Sequence, residues 1–286
     1  MALELNSRRL IPLALAALLS ACAGSPLSQQ ASARTEAAPP TAPSEIGELR
    51  PGMLRGYLDR AALPDSLALL PAPPQPGSPA AAADEATYRA TRALLSTPRG
   101  ALARADAQLS FPAAASTFAC AAQLDITPEG TPHLVTLMRR TLVDAGLSTY
   151  GAKDHYKRQR PFAQHKDASC TPDEEGRLAK DGSYPSGHAA LGWAWALVLT
   201  ELMPDRTNPL LQRGYAFGQS RVICGVHWQS DVEAGRLIGS AAVARLHADP
   251  VFEAQMRAAG QEVRAARAAG RGPTKDCAAE AAALKP

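Results

Sequence analysis

The chain has 286 residues, of which 46% are hydrophobic and 5% aromatic, enough for one large domain with appendages. A formal net charge of only +3 does not indicate a nucleic-acid-binding protein, although charge can still cluster locally. Abundant alanine and leucine with few bulky aromatic residues favour close-packed helices over a β-sandwich or barrel. We therefore expect an all-α fold, a single helical bundle.

Residues 1–21 have the pattern of a secretory signal peptide. A pair of arginines precedes the apolar run 10–19, which is too short to span a bilayer. Residues 19–22, Leu-Ser-Ala-Cys, resemble a bacterial lipobox, in which Cys22 becomes the acylated first residue; the alternative is an ordinary signal peptide with a chance cysteine. The following Ala23 favours the outer membrane. We predict an exported, periplasmic lipoprotein tethered to the outer membrane through Cys22.

Composition divides the rest of the chain. Residues 22–48, rich in Ala, Ser, Pro and Gln, are expected to form a flexible tether, residues 49–270 the helical domain and residues 271–286 a tail. Hydrophobic periodicity and capping signals predict helices at 54–63, 81–95, 100–109, 132–145, 187–202, 208–218, 229–248 and 252–269. No credible set of alternating strands is present.

Two segments differ from these amphipathic helices. Residues 187–202 are almost wholly apolar, which predicts a central buried helix. Residues 163–183 are polar and rich in Gly and Asp, which predicts a loop. No internal run reaches the 18 apolar residues of a membrane-spanning helix.

Four cysteines follow the signal segment, at positions 120, 170, 224 and 277. An even number in an exported protein indicates up to two disulfides, with three pairings available. We favour Cys170–Cys224, which would brace the region of the clusters described below, and this leaves Cys120 with Cys277. The chain has no C-x-x-C spacing, so the cysteines do not indicate a zinc site.

The first of three clusters that carry chemistry is Lys153 with Arg160 and Pro161. A separation of seven residues, two helical turns, predicts that Lys153 and Arg160 share one face of a helix that Pro161 ends. A planar guanidinium and an ammonium group can together hold several oxygens of a phosphate. The alternative is a solvated basic face, since Lys157 and Arg158 lie in the same stretch.

The second cluster is Pro185-Ser186-Gly187-His188, directly before the apolar helix. A helix N-terminus offers free N–H donors to an anion, and Gly187 lets the backbone approach it closely. Ser186 can cap the helix or donate its hydroxyl group, and His188 can protonate a leaving alkoxide. The alternative is a capping turn with a partly buried histidine.

The third cluster contains Arg221, His227 and Asp231. If His227 lies at a helix start, Asp231 can accept a hydrogen bond from one ring nitrogen and leave the other free as a nucleophile. Arg221 adds a third cation. The alternatives are a structural His–Asp pair and a shared metal ion, the latter disfavoured because three cations would repel it.

The order Lys-x6-Arg-Pro, Pro-Ser-Gly-His and Ser-Arg-x5-His-x3-Asp resembles the signature of the type 2 phosphatidic-acid phosphatase superfamily, shared with the vanadium-dependent haloperoxidases. Residues 152–162, 182–188 and 220–232, with the stretch 64–71, are similar to the class A bacterial nonspecific acid phosphatases. The resemblance covers roughly residues 55–255, so it leaves out the tether, the lipobox and the tail.

The resemblance implies the all-α fold of that family and a phosphatase that needs no metal or other cofactor. His227 would attack phosphorus and form a phosphohistidine, Asp231 would orient His227, and His188 would act as general acid and then base. The phosphate-binding residues would be Lys153, Arg160, Ser186, Gly187 and Arg221.

The expected partners are small phosphomonoesters, with no nucleic acid and no membrane contact beyond the lipid anchor. Phosphotransfer to alcohols, pyrophosphate cleavage and pairing into a homo-oligomer stay open. Three other functions remain as alternatives: a vanadate-dependent haloperoxidase, a lipid-phosphate phosphatase with the same site, and an envelope lipoprotein with a binding role.

Overall fold

The computed structural model describes residues 38–285, and within them the chain is helical apart from one small hairpin. Its α-helices are α1 Pro43–Ile46, α2 Ser66–Leu69, α3 Pro79–Arg92, α4 Pro98–Ala105, α5 Ala119–Ala122, α6 Pro132–Leu147, α7 Tyr150–Tyr156, α8 Pro161–His165, α9 Pro172–Leu178, α10 Gly187–Leu202, α11 Thr207–Ile223, α12 Gln229–Leu246, α13 Pro250–Ala268 and α14 Cys277–Ala283. Short 3-10 helices lie at Arg60–Ala62, Ala93–Ser96, Ala115–Phe118 and Pro204–Arg206. The all-α prediction is confirmed.

The hairpin consists of β1 Glu48–Arg50 and β2 Met53–Leu54, which pair antiparallel with Glu48 opposite Leu54. It overlaps the start of the helix predicted at 54–63, which was wrong: a strand and a 3-10 turn stand there instead. The loop predicted at 163–183 was also wrong, since it contains the end of α8 and all of α9. Both α8 and α9 begin at a proline. Proline lacks the backbone N–H, which in the first turn of a helix would have no partner within the helix.

The apolar helix α10 lies at the centre, as predicted, and packs against α6, α11 and α12. Trp195 of α10 is fully buried, and its Nε1 donates to the carbonyl oxygen of Met138 at 2.8 Å. The polar atom of this ring is therefore satisfied inside the core.

A glycine sets the approach of α12 to the start of α10. A Cβ atom at Gly235 would collide with the carbonyl oxygen of Ser186, so only glycine allows the two helices this separation. The backbone N–H of Ser186 accordingly reaches the carbonyl oxygen of Asp231 at 2.9 Å. The packing of two helices thus brings two of the sequence clusters into direct contact.

The segment expected to be a tail carries α14, which is joined to the body by the disulfide Cys120–Cys277. Glu280 of α14 is buried and lies 3.5 Å from Nε of Arg213, which also pairs with Asp106. The second disulfide is Cys170–Cys224, so both favoured pairings are present. Two formed disulfides fit an exported protein.

At the other end, α1 and the first residue of β1 lie in the segment assigned to the tether. The signal peptide and the lipobox with Cys22 lie outside the described residues. Among residues 38–285, none of the helices combines the length and the apolar character needed to cross a bilayer.

Candidate active site

His227 lies next to Trp228, the N-cap of α12, and Asp231 lies in the first turn of that helix. Asp231 Oδ2 accepts the backbone N–H of Trp228 at 2.8 Å and lies 3.3 Å from Nδ1 of His227. One carboxylate oxygen therefore caps the helix and faces the imidazole. The expected position of His227 at a helix start, with its ring beside Asp231, is what the structure shows.

The other ring nitrogen of His227 faces a cation. Nε2 lies 2.9 Å from Nη1 of Arg160, and a guanidinium group can only donate, so Nε2 accepts and Nδ1 carries the proton. Burial, together with the positive charges of Arg160, Lys153 and Arg221, holds the pKa of His227 well below its usual value. The ring is therefore neutral, with the Nε2 lone pair on the side of the cations.

The prediction that Lys153 and Arg160 share a helix was wrong. Helix α7 ends at Tyr156, because Lys157 adopts a left-handed backbone with φ 46°. Arg160 is extended and Pro161 begins α8 rather than ending a helix. The two cations are nevertheless brought together at residues 181–182, in the loop between α9 and α10.

Residues Asp181 and Gly182 hold the two cations. Lys153 Nζ donates to the carbonyl oxygen of Gly182 at 2.6 Å, and Arg160 Nη2 lies 3.1 Å from Oδ2 of Asp181. Burial and the neighbouring Arg160 lower the pKa of Lys153 to about 8, so the ammonium form still dominates below that pH. These contacts fix two donors beside His227.

Arg221, in the last turn of α11, is fully buried. Its Nε and Nη1 have no hydrogen-bond partner among residues 38–285. Burial, and to a lesser degree Arg160, lowers the pKa of Arg221 to about 10. A buried guanidinium with unused donors is unfavourable unless an anion completes it, which marks this position as suited to a phosphate oxygen.

The second cluster forms the start of α10. Ser186 is the N-cap, and its Oγ accepts the N–H of Ala189 at 3.2 Å. Gly187 is the first residue of the helix, where backbone N–H groups have no partner within the helix. A Cβ at Gly187 would meet only Thr149 Oγ1 at 3.7 Å, an ordinary contact. The protein's own packing therefore does not require glycine there.

His188 is the second residue of α10. Its Nε2 lies 3.2 Å from the carbonyl oxygen of Ala107, and its ring stacks on Phe217 with centroids 6.0 Å apart. Burial first, and then the charge of Arg221, holds the pKa of His188 well below its usual value. Because Nε2–H donates to Ala107, Nδ1 is the ring nitrogen left to exchange a proton.

The disulfide Cys170–Cys224 joins the segment before His227 to the loop between α8 and α9. The N–H of Cys170 donates to the carbonyl oxygen of Cys224 at 3.1 Å. The N–H of Phe162 donates to the carbonyl oxygen of Gly225 at 2.9 Å. The residues before His227 are thereby attached to α8 and to the loop before α9.

Sequence reasoning missed several residues that contact this site. Arg158, which the alternative placed on a solvated basic face, is instead paired with two buried carboxylates, those of Asp84 and Asp231. Ser183 donates to Asp231 Oδ2 and lies 3.4 Å from Nδ1 of His227. Ser183 lies in the stretch 182–188 that resembles the acid phosphatases, but no sequence signal distinguishes Asp84, a polar residue on an ordinary amphipathic helix. Within residues 38–285, three or more His, Cys, Asp or Glu side chains nowhere gather as a metal site.

Comparison with known proteins agrees with the motifs. Residues 133–252 match the model of the PAP2 superfamily. The non-specific acid phosphatase of Providencia stuartii is 47% identical over 207 residues, which are 72% of this chain and 84% of that protein. The acid phosphatase of Zymomonas mobilis subsp. mobilis is 38% identical over 257 residues, 90% of this chain and 91% of that protein.

Two further proteins are also similar to this chain. The non-specific acid phosphatase of Salmonella typhimurium is 41% identical over 195 residues, 68% of this chain and 78% of that protein. The crystal structure of the first bacterial vanadium-dependent iodoperoxidase has a TM-score of 0.48 at 18% identity, covering 76% of this chain and 63% of that chain. By its identity to these curated relatives, the chain belongs to the bacterial non-specific acid phosphatases of the PAP2 superfamily.

Proposed function

We propose that the protein is a metal-independent acid phosphatase that hydrolyses a broad range of phosphomonoesters through a phosphohistidine at His227. The observation that carries the proposal is the buried guanidinium of Arg221, two of whose nitrogens have no partner within residues 38–285. The positive charge of Arg221 lowers the pKa of His227, as do the charges of Lys153 and Arg160. Three cations around a neutral imidazole suit a phosphoryl group, whose oxygens they can hold while the imidazole attacks phosphorus.

In the first step, Nε2 of His227 attacks phosphorus and the bond to the ester oxygen breaks. The ester oxygen takes its electron pair and receives a proton from Nδ1 of His188. Nδ1–H of His227 stays on the side of Asp231, whose carboxylate stabilises the positive charge that the ring gains. The products are an alcohol and the phosphohistidine.

In the second step, neutral His188 takes a proton from water, whose oxygen attacks phosphorus and displaces Nε2 of His227. The equatorial oxygens are held throughout by Lys153, Arg160, Arg221, the Ser186 hydroxyl and the N–H of Gly187. An alcohol in place of water would give phosphotransfer by the same route.

The proposal also predicts an acid optimum. The pKa of His188 is low because burial and Arg221 disfavour a further positive charge. A bound phosphate supplies the opposite charge and raises that pKa, so that the protonated acid forms only with substrate present and is lost as the pH rises.

The test is hydrolysis of p-nitrophenyl phosphate, AMP and pyrophosphate by a truncated chain starting at residue 38, with and without EDTA. We expect turnover of the monoesters that survives EDTA and is inhibited by vanadate. Loss of turnover in EDTA, or halide oxidation by peroxide once vanadate is added, would contradict the proposal and favour the haloperoxidase. The His227→Ala variant serves as the inactive control.

We further propose that the enzyme works in the periplasm, attached to the outer membrane through lipidated Cys22, without nucleic-acid partners. The lipobox pattern at residues 19–22 and the two disulfides support this location. Labelling with a palmitate analogue should mark the wild type and leave Cys22→Ser unmarked. An unlabelled wild type would remove the anchor and leave the phosphatase proposal intact.

A further inference from the structure

Arg158 bridges two buried carboxylates. Its Nη1 lies 2.6 Å from Oδ1 of Asp231, and its Nη2 lies 2.7 Å from Oδ2 of Asp84. The side chain of Arg158 is 13% exposed, that of Asp84 4% and that of Asp231 0%. These short, shielded contacts differ from a surface ion pair, in which solvent and salt weaken the attraction.

Arg158 binds the carboxylate oxygen of Asp231 that does not face His227. Oδ2 of Asp231 is occupied by the hydroxyl group of Ser183 and the N–H of Trp228, and it faces His227. Within residues 38–285, Arg158 is the group that binds Oδ1. Because the two oxygens rotate together, holding Oδ1 also determines where Oδ2 points. The orientation of His227 therefore depends on Arg158, which does not touch the histidine itself.

Asp84 extends the bridge to a helix outside residues 133–252, the part that matches the superfamily model. Its Oδ1 accepts the N–H of Ser230 at 2.8 Å, and its Oδ2 accepts the Ser230 hydroxyl group at 2.5 Å. Ser230 is the second residue of α12, so Asp84 also satisfies the start of the helix that carries Asp231. One carboxylate of α3 thus holds both Arg158 and α12.

Arg158 is itself fixed in place. Its carbonyl oxygen accepts the N–H of Ser183 at 2.8 Å, and its guanidinium carbon lies 5.4 Å from the ring centroid of Trp228. Trp228 Nε1 in turn donates to the carbonyl oxygen of Gln159 at 2.9 Å. Arg158 therefore holds one geometry, as a positioning group must.

The carboxylate of Asp84 balances the charge of Arg158. Arg158 alone beside Asp231 would offset the negative charge that stabilises a positive ring on His227. Asp84 offsets that cation, so Asp231 can be held by an arginine and still attract the imidazolium. A buried ion pair is weak support for stability by itself, which makes a role in orientation the better explanation of this arrangement.

We propose that Arg158 and Asp84 are positioning residues of the phosphatase site, which hold Asp231 against His227 and balance its charge. The inference rests on the proposed function only in taking His227 as the nucleophile.

The first test compares kcat and KM of R158M, R158K and D84N with the wild type. By analogy with outer partners that orient the ligands of a site, we expect R158M and D84N to lower kcat roughly 10- to 100-fold with little change in KM. R158K should be intermediate, because an ammonium group keeps the charge but does not span two carboxylates as a planar fork does.

Matched controls separate orientation from loss of structure. Arg140 is a buried arginine that binds the carbonyl oxygens of Arg55 and Gly56 and packs on Tyr57, so R140M should lower the Tm and leave kcat unchanged. Glu85 stands next to Asp84 and pairs with Arg89 and His165, so E85Q removes a neighbouring charge without reaching Asp231. Wild-type kcat in R158M, or an equal fall of kcat in R140M, overturns the proposal.

The second test is the pH profile of kcat/KM, which a purely structural role would not shift in a defined direction. The charged and titratable groups facing His227 are Lys153, Arg160, Arg221, Asp231 and His188. All of these persist in the variants. Losing the cation in R158M should move the acid limb, set by neutral His227, to higher pH, and losing the carboxylate in D84N should move it to lower pH. Shifts in any other pattern contradict the proposal.

His227→Ala is measured alongside. If this variant turns over like the wild type, the proposed function fails, whatever the Arg158 variants do. If it is inactive while R158M and D84N keep wild-type kcat and pH profiles, the proposed function stands and the inference about Arg158 and Asp84 fails.

Discussion

Arg160 Nη1 lies 2.9 Å from Nε2 of His227, so a guanidinium group donates to the nitrogen that is proposed as the nucleophile. The same Nη1 donates to the carbonyl oxygen of Val226 at 3.0 Å, next to His227 in the chain. This contact favours the neutral imidazole and places a cation within reach of any group bonded to Nε2. A phosphoryl group on Nε2 would exchange the N–H···N contact for N–H···O contacts with Arg160.

Removal of the Asp231 carboxylate should impair catalysis severely in a protein that still folds. In D231N, the amide oxygen can still accept the N–H of Trp228, so the helix cap is kept, but the negative charge is lost. By analogy with the aspartate of a catalytic triad, we expect kcat to fall by about 10⁴. The Tm should fall, because the amide nitrogen then replaces Oδ1 beside Arg158 and breaks a buried ion pair, but circular dichroism should still show a cooperatively folded protein. An activity loss below about tenfold would contradict the orienting role.

Gly187→Ala should fold normally and bind phosphate weakly. The added Cβ has room within the protein, since its nearest contact is Thr149 Oγ1 at 3.7 Å. It would, however, stand at the start of α10, where the backbone is proposed to approach the phosphate. We expect an unchanged Tm and a rise in the inhibition constant of phosphate. An unchanged inhibition constant would remove Gly187 from the site.

The two disulfides should separate stability from activity. Cys120–Cys277 closes a sequence separation of 157 residues and Cys170–Cys224 one of 54, so each stabilises the fold by about 4–5 kcal/mol in the loop-entropy estimate. Only Cys170–Cys224 joins segments that hold Arg160 and His227. We expect C120S/C277S to lower the Tm with kcat retained, and C170S/C224S to lower both.

These two variants are controls for each other. Equal effects of both double substitutions on kcat, measured well below either Tm, would show that the Cys170–Cys224 bridge does not brace the site.

The free energy of unfolding should decrease as the pH is lowered, because two histidines are buried in their neutral form. The pKa values of His188 and His227 lie below their usual value, so below pH 6.5 the unfolded chain binds protons that the folded chain does not. Each histidine then removes up to about 1.4 kcal/mol per pH unit from the free energy of unfolding. Bound phosphate should reverse the loss.

The measurement is the Tm of wild type and His188→Gln at pH 7 and pH 5, with and without phosphate. A comparison with the variant is needed because burial raises the pKa of Asp144 to about 6, which acts in the opposite direction. The wild type should lose more Tm than the variant does. Equal losses would show that His188 is not buried neutral.

The sequence predicted which side chains come together better than it predicted their local structure. The residue types in Lys-x6-Arg-Pro were sufficient to expect that the two cations lie close together, yet Lys153 and Arg160 do not share a helix. The break depends on a left-handed backbone at Lys157, a residue that usually avoids it, and tertiary contacts of Arg158 and Gln159 hold it. Helix propensity, which depends on neighbouring residues in the chain, does not predict such tertiary contacts.

The start of α10 was predicted well because its signal is local. Ser186 caps a long apolar run, and the N-cap hydrogen bond to Ala189 lies within four residues of chain. Asp84 is the opposite case, since its partners Arg158 and Ser230 lie 74 and 146 residues away. Polar residues that act across such separations become visible only in three dimensions.

The central claim is that phosphorus becomes bonded to His227. The direct measurement is trapping with a ³²P-labelled phosphomonoester, stopped in alkaline detergent, in which a phosphoramidate bond survives, followed by peptide mapping. The account predicts label on the peptide containing His227 in the wild type and none in His227→Ala. Turnover without a labelled wild-type protein, or label that persists in His227→Ala, would contradict it.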